Sequence, residues 1–110
     1  MSVTIGAQYR QGDILLCAVE RIPPDVKPVP RDGDRVVVAE GELTGHAHAF
    51  AAKGVRLFRE KGSHRFFLRV GKRGAALRHE EHGSILVPQG QYELKRQREY
   101  APAASRRVRD

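Results

Sequence analysis

The sequence predicts an all-β fold, a small barrel or two packed sheets, and three observations lead there. Short runs rich in β-branched and aromatic residues recur at close spacing, and nearly every run is closed by a turn signal built on Gly or Pro. Helix-compatible composition is confined to the last ten residues, where Pro102 suits a first helical position. A chain of 110 residues is sized for one core. Residues 1–100 therefore read as a single β domain, and residues 101–110 as a short helix or loose basic tail.

In chain order, residues 11–22 open on Gly12-Asp13 and continue as Ile14-Leu15-Leu16-Cys17-Ala18-Val19. Apolar residues at consecutive positions suit a strand covered on both faces. Cys17 inside that run reads as a small buried hydrophobe rather than a nucleophile, since no cation adjoins it in sequence. Residues 23–34 carry four of the six prolines and end in Asp32-Gly33-Asp34, which predicts a long surface loop. Loops of that length bind or move in many compact domains, and a proline-stiffened crossover fits equally.

Val36-Val37-Val38-Ala39 is a β-branched strand, residues 41–45 are a Gly-bounded break, and residues 46–52 form the next strand. Strands are then expected at residues 55–60, 65–70, 75–79, 84–87 and 91–97. Lys61-Gly62-Ser63, Gly71-Lys72-Arg73-Gly74, Gly83 and Pro88-Gln89-Gly90 separate them as turns.

Composition narrows the function classes. Charged residues at 30% and apolar residues at 40% describe a globular chain. No stretch approaches the roughly 20 apolar residues of a membrane span, and residues 1–11 lack the apolar centre of a signal peptide, so a cytoplasmic protein without a membrane partner is expected. One cysteine excludes an internal disulfide and every zinc module needing two thiolates. A metal would have to be held by His and carboxylates.

Four of the five histidines fall in two tight pairs, His46-Ala47-His48 and His79-Glu80-Glu81-His82, and His64 stands alone. On a strand, i and i+2 share a face, so His46 and His48 lie side by side, about 7 Å apart at Cα, as two ligands of one ion require, with Ala47, Ala49 and Ala51 on the other face. His79 and His82 would point to opposite faces of a flat strand. A bulge or turn at Glu80-Glu81, eased by Gly83, would bring them together. Convergence of both pairs would give four nitrogen ligands, His46, His48, His79 and His82, for a divalent transition metal, with Zn foremost and Ni, Fe or Cu compatible. An open coordination position would then support hydrolysis or a lyase step, with Glu80 or Glu81 moving the proton and Tyr92 or Arg96 orienting an anionic substrate. The same pairs also fit solvated hairpins whose histidines bond to turns or carboxylates.

Thr44-Gly45-His46-Ala47-His48, with the later turn Val87-Pro88-Gln89-Gly90-Gln91-Tyr92, resembles the cupin superfamily, in which a Gly-rich approach leads to an H-x-H strand and a P-x-G turn follows. The resemblance covers about a third of the chain. It implies a double-stranded β-helix barrel with a divalent metal inside, His46 and His48 matching the H-x-H ligands. The pattern departs from the family elsewhere: only Glu60 loosely matches the glutamate ligand, and no His follows Pro88-Gln89-Gly90. The chain is also similar to small prokaryotic proteins, a likeness that implies no function.

The net charge is +7, and 15 of the 20 basic residues are Arg, the side chain that forks onto phosphate and stacks on bases. Arg65, Arg69, Arg73, Arg78, Arg96 and Arg98, interleaved with Phe58, Phe66, Phe67 and Tyr92, outline a second reading. In it the chain is a non-enzymatic binder of RNA, single-stranded DNA or another polyanion, with the aromatics as stacking platforms. Charge alone gives non-specific affinity. A third reading makes the Arg106 to Asp110 tail a docking segment of a phage or accessory protein, and a homo-oligomer is compatible with all three.

Overall fold

Period-two alternation in the strands, with apolar side chains on one face, dictates two sheets that bury those faces against each other. The computed structural model describes residues 4–40, 47–79 and 83–96, and its regular elements are all strands. They are β1 (Gln8–Gln11), β2 (Ile14–Val19), β3 (Val26–Pro28), β4 (Val36–Glu40), β5 (Ala47–Phe50), β6 (Val55–Glu60), β7 (Phe66–Val70), β8 (Ala75–Arg78), β9 (Ile85–Val87) and β10 (Gly90–Arg96). The larger sheet runs β1-β2-β10-β7-β6-β3 and the smaller β4-β5-β8-β9, each pairing antiparallel. Between the two closures that the sequence leaves open, the structure adopts the sandwich. Among the described residues both sheets keep open edges and no barrel closes.

Register lays out the core. Tyr92 lies between Ala18 and Leu68, Leu94 lies between Leu16 and Phe66, and Val55 and Leu57 continue the rows from Val70 and Leu68. Phe50, Leu77, Val36, Val38 and Val87 of the smaller sheet close over them. Each such side chain, fully buried, contributes about 1.5–3 kcal/mol. The Tyr92 hydroxyl donates to the Pro88 carbonyl at 2.6 Å, so the buried phenol keeps a partner.

The segment 23–34 is not the structureless loop that its prolines predict. It carries β3, which pairs with β6, and the Val29 amide adds a bond to the Leu57 carbonyl at 2.8 Å. Pro28 is tolerated because β3 is an edge strand, where a missing ladder donor costs little. The crossover alternative is the one the structure takes. Residues 11–22 also divide differently from expectation. Gln11 closes β1, Gly12 turns with φ +61°, and β2 begins at Ile14. Cys17 is half-buried on the outward face of β2, opposite Gln8 and Glu93, because the larger sheet is covered by another sheet on one side only. The tail, residues 101–110, lies outside the described residues.

Candidate functional site

Strand β5 reads Ala-His-Ala-Phe and all four residues are buried. Phe50 faces the core, and period two puts His48 on the same inner face, one position from the end of the strand. An imidazole only 3% exposed must find hydrogen-bond partners. Gln11, itself 3% exposed at the end of β1, supplies one: its Oε1 lies 2.8 Å from His48 Nδ1. The orientation of that amide follows from its other contacts. Gln11 Nε2 donates to the carbonyls of Leu77 and Gly83, both at 2.9 Å, which uses both amide protons and leaves Oε1 as an acceptor. The His48 ring therefore donates from Nδ1, and its Nε2 lies on the side of the ring away from Gln11. That second nitrogen faces Asp13, whose Oδ1 is 3.7 Å away.

Asp13 sits in the β1–β2 turn, and its second oxygen receives the Arg96 Nε at 3.3 Å from the end of β10. His79 directly follows β8. Leu77 and Arg78 pair with Phe50 and Ala49, so the chain carries His79 alongside His48, and the two rings pack with centroids 4.3 Å apart at 40°. Four elements of both sheets thus bring Gln11, Asp13, His48, His79 and Arg96 to one end of the sandwich. A bulge shapes that end: register slips between Val37 and Ala39, so that Ala39 rather than Val38 lies opposite His48. Bulges of this kind re-aim side chains beside sites.

His48 and His79 come together from the two sequence motifs. Their companions His46 and His82, with Glu80, Glu81 and Arg98, lie outside the described residues. Among the described residues no group of three or more His, Cys, Asp or Glu converges as a metal site. Ala47, Ala49 and Ala51 face away from His48, as alternation requires, and floor a hollow of about 300 Å³ edged by Arg35, Arg78 and His79. His64 is exposed and adjoins Arg96 through a separate cleft of about 230 Å³. Gln11 and Asp13 are the members that sequence reasoning missed. The only signal was a polar Gln-Gly-Asp step before an apolar strand, which reads as an ordinary turn.

The remaining arginines do not share one face. Arg65 and Arg69 lie over the outward rings of Phe67 and Phe58, at 5.0 and 5.3 Å from the ring centroids. Arg73 is in the β7–β8 turn, Arg78 is on the smaller sheet and Arg96 is at the histidine site. The expectation of four stacking aromatics is corrected. Tyr92 is fully buried and bonded to Pro88, Phe66 packs on the core, and Phe67 is 1% exposed. Phe58 alone of the four is an outward, half-buried ring. Core burial likewise removes Tyr92 as a group that orients substrate.

No helix among the described residues is long and apolar enough to cross a membrane. Residues 10–97 match a family described as a domain of unknown function, DUF8820, and with most of the chain inside that match the protein belongs to this family. No curated protein and no solved structure matches the chain.

Proposed function

We propose that this domain is a small cytoplasmic metal-binding protein that uses the paired histidines His46, His48, His79 and His82, with Asp13 facing His48 Nε2. One observation carries the reading: Gln11 accepts a hydrogen bond from His48 Nδ1 at 2.8 Å, which turns Nε2 toward the Asp13 carboxylate at 3.7 Å. The Nε2–Oδ1 gap is wider than a hydrogen bond. That gap is of the order spanned by two donors each roughly 2 Å from one ion, and a ligating His characteristically donates its other ring proton to an oxygen behind it. Nitrogen and carboxylate donors suit a divalent transition metal, Zn foremost, with Ni, Fe or Cu also accommodated. Such an ion supplies Lewis acidity or an acidified water, which makes hydrolysis or a lyase step the natural extension, with Glu80 or Glu81 as proton carrier. A distant kinship with cupins belongs to the same proposal and rests on the H-x-H pair.

The test is elemental analysis of untagged protein purified without chelator, with thermal melts before and after EDTA. Near one equivalent of a transition metal, a melting temperature lowered by EDTA, and loss of both in His48→Ala are expected, because an ion bound to the native state stabilises it by mass action. Absence of metal with an unchanged melt rejects the reading.

A second reading, binding of RNA or single-stranded DNA, is favoured by a different observation. Arg56 and Arg69 are direct cross-strand partners on the outward face of the larger sheet, beside the rings under Arg65 and Arg69. Like charges placed opposite each other destabilise a sheet, and a polyanion relieves that repulsion. Retention on single-stranded RNA that falls steeply with salt, and falls further in Arg56→Gln, supports it. Equal retention of wild type and variant removes this face as the interface.

A further inference from the structure

Two glycine turns meet at the end of the sandwich remote from His48: Gly90 opens β10 beside Val70, whereas Arg96 closes it beside Asp13. Gly54 and Gly71 carry the β6–β7 ladder one step past Val55 and Val70. The Gly71 amide donates to the Gly54 carbonyl at 3.0 Å, and a Cβ on Gly71 would stand 3.2 Å from that oxygen, which keeps both backbones bare. With Lys53, Lys72, Arg73 and Gly74 they line a cleft of about 370 Å³. The β7–β8 turn closes through the Gly74 amide, which donates to the Gly71 carbonyl at 3.0 Å. The amides of its two central residues, Lys72 and Arg73, meet no backbone acceptor among the described residues. Successive amides of a turn form a concavity suited to an anion.

The charges agree. Lys53, Lys72 and Arg73 are exposed, and none of them takes an ion-pair partner among the described residues. Glu60 is the only acid between Ala47 and His79 in sequence, and it lies at the far end of β6, bonded to Ser63 and facing Arg65 at 3.6 Å. Asp34 borders Lys53 through the neighbouring apolar groove without pairing with it. The hollow edged by Lys27, Arg59 and Lys61 is the informative contrast: Glu60 stands in its wall, and its Lys61 is drawn to Asp25 at 3.8 Å.

We propose that the paired turns at Lys53-Gly54 and Gly71–Gly74 bind an oligophosphate, the di- or triphosphate group of a small molecule, with phosphate oxygens on the Lys72 and Arg73 amides and the three side chains neutralising the charge. An Arg forks onto phosphate and a Lys serves as a point charge beside it. Three cations brought from two turns to one cleft match a compact anion of several charges better than the single charge of a carboxylate. A nucleoside triphosphate and inorganic polyphosphate share that chemistry. The site lies away from His48 and does not include Arg56, so it goes beyond both the metal and the RNA readings and stands or falls apart from them.

The test is a two-dimensional NMR titration of the full-length protein with tripolyphosphate, ATP, adenosine and citrate, at fixed ionic strength and in EDTA, which removes any route to phosphate through a metal. Saturable shifts at the amides of Gly54, Gly71, Lys72, Arg73 and Gly74 are expected for tripolyphosphate and ATP, with citrate clearly weaker and adenosine without effect. Tighter binding of ATP assigns the nucleotide as the source, and equal or weaker binding assigns the bare phosphate chain. Losing a contact to a charged group is worth about tenfold in affinity, so the double variant Lys72→Gln/Arg73→Gln should weaken tripolyphosphate by about that factor or more. Lys27→Gln/Arg59→Gln removes the same charge from the contrasting hollow and should leave binding unchanged. All four positions are exposed, so both double variants should melt as the wild type does. The proposal fails if tripolyphosphate gives no saturable shifts, if the two double variants weaken it equally, if citrate binds as well, or if the shifts map to His48 and His79. It fails equally if single-stranded RNA shifts these turns and tripolyphosphate does not.

Discussion

His48 owes its chemical identity to Gln11. The amide fixes the ring proton on Nδ1 because both its own protons are taken by backbone carbonyls, so replacing it changes tautomer and packing together. Gln11→Leu leaves the Leu77 and Gly83 carbonyls and the imidazole without that partner. A buried group left unpaired costs about 1–3 kcal/mol, so the urea midpoint should fall by a corresponding amount. Nitrogen NMR should then show the His48 ring no longer held as the Nδ1–H tautomer, and metal affinity should drop by about 10- to 100-fold. The histidine pairs themselves were legible, because spacing alone marks i and i+2 as neighbours on a strand. Gln11 was not: its role depends on a contact with His48 across 37 positions of sequence. Tyr92 makes a second residue-scale case. Burial, with a smaller contribution from Tyr9, pushes its phenol well above the ordinary tyrosine value of 10.0. A raised folded-state pKa means that the native state holds the proton more tightly than the unfolded chain. The stabilisation is complete below pH 10 and is lost as pH rises toward the folded value. Tyr92→Phe should therefore flatten the alkaline limb of the stability profile and, by removing the bond to Pro88, cost about 1 kcal/mol at neutral pH.

At the scale of elements, turn chemistry and alternation were sufficient for eight of the ten strands, and β1 and β3 show why the others escaped. Gln8-Tyr9-Arg10-Gln11 is polar because only part of one face of an edge strand is covered, and Val26–Pro28 contains a residue that argues against any strand away from an edge. The bulge in β4 was equally silent, since Val36-Val37-Val38-Ala39 offers the same apolar residue at either register. The glycine turns can be tested individually. Gly62 and Gly74 both hold positive φ, +76° and +67°, but a Cβ at Gly62 meets nothing within 4 Å while one at Gly74 falls 2.9 Å from the Val87 carbonyl oxygen. Gly62→Ala should cost about 1–2 kcal/mol, the ordinary expense of a left-handed conformation. Gly74→Ala should exceed it, because the β7–β8 turn must also move off β9. Comparing the two urea midpoints separates backbone conformation from steric clash, and equal values would show that the Val87 strand yields without cost.

Over the whole molecule the two sheets separate two chemistries. The inner faces end in the Gln11–His48–Asp13–Arg96 chain, while the outward face of the larger sheet carries Arg56 and Arg69 opposite each other and Arg65 bonded to Glu93 at 3.1 Å. A net charge of +7 was readable from composition, but its distribution over separate faces was not, because outward and inward positions on β6, β7 and β10 follow from register. This separation predicts independent responses. Removing one partner of the Arg56–Arg69 pair relieves repulsion, so Arg56→Gln should raise stability by at most about 1 kcal/mol at low ionic strength. The gain should fade in concentrated salt, where the Debye length shrinks to about 3 Å at 1 M. Metal content and its EDTA sensitivity should stay at the wild-type level, since the substitution lies on the far side of the sheet from His48. The reciprocal variant, His48→Ala, should lose metal while keeping the salt dependence of retention on single-stranded RNA. Thermal melts at low and high salt, metal analysis and retention on single-stranded RNA across a salt series, run on both variants, check these outcomes. Loss of metal in Arg56→Gln would mean that the two faces are coupled through the sheet, and that the sandwich acts as one site.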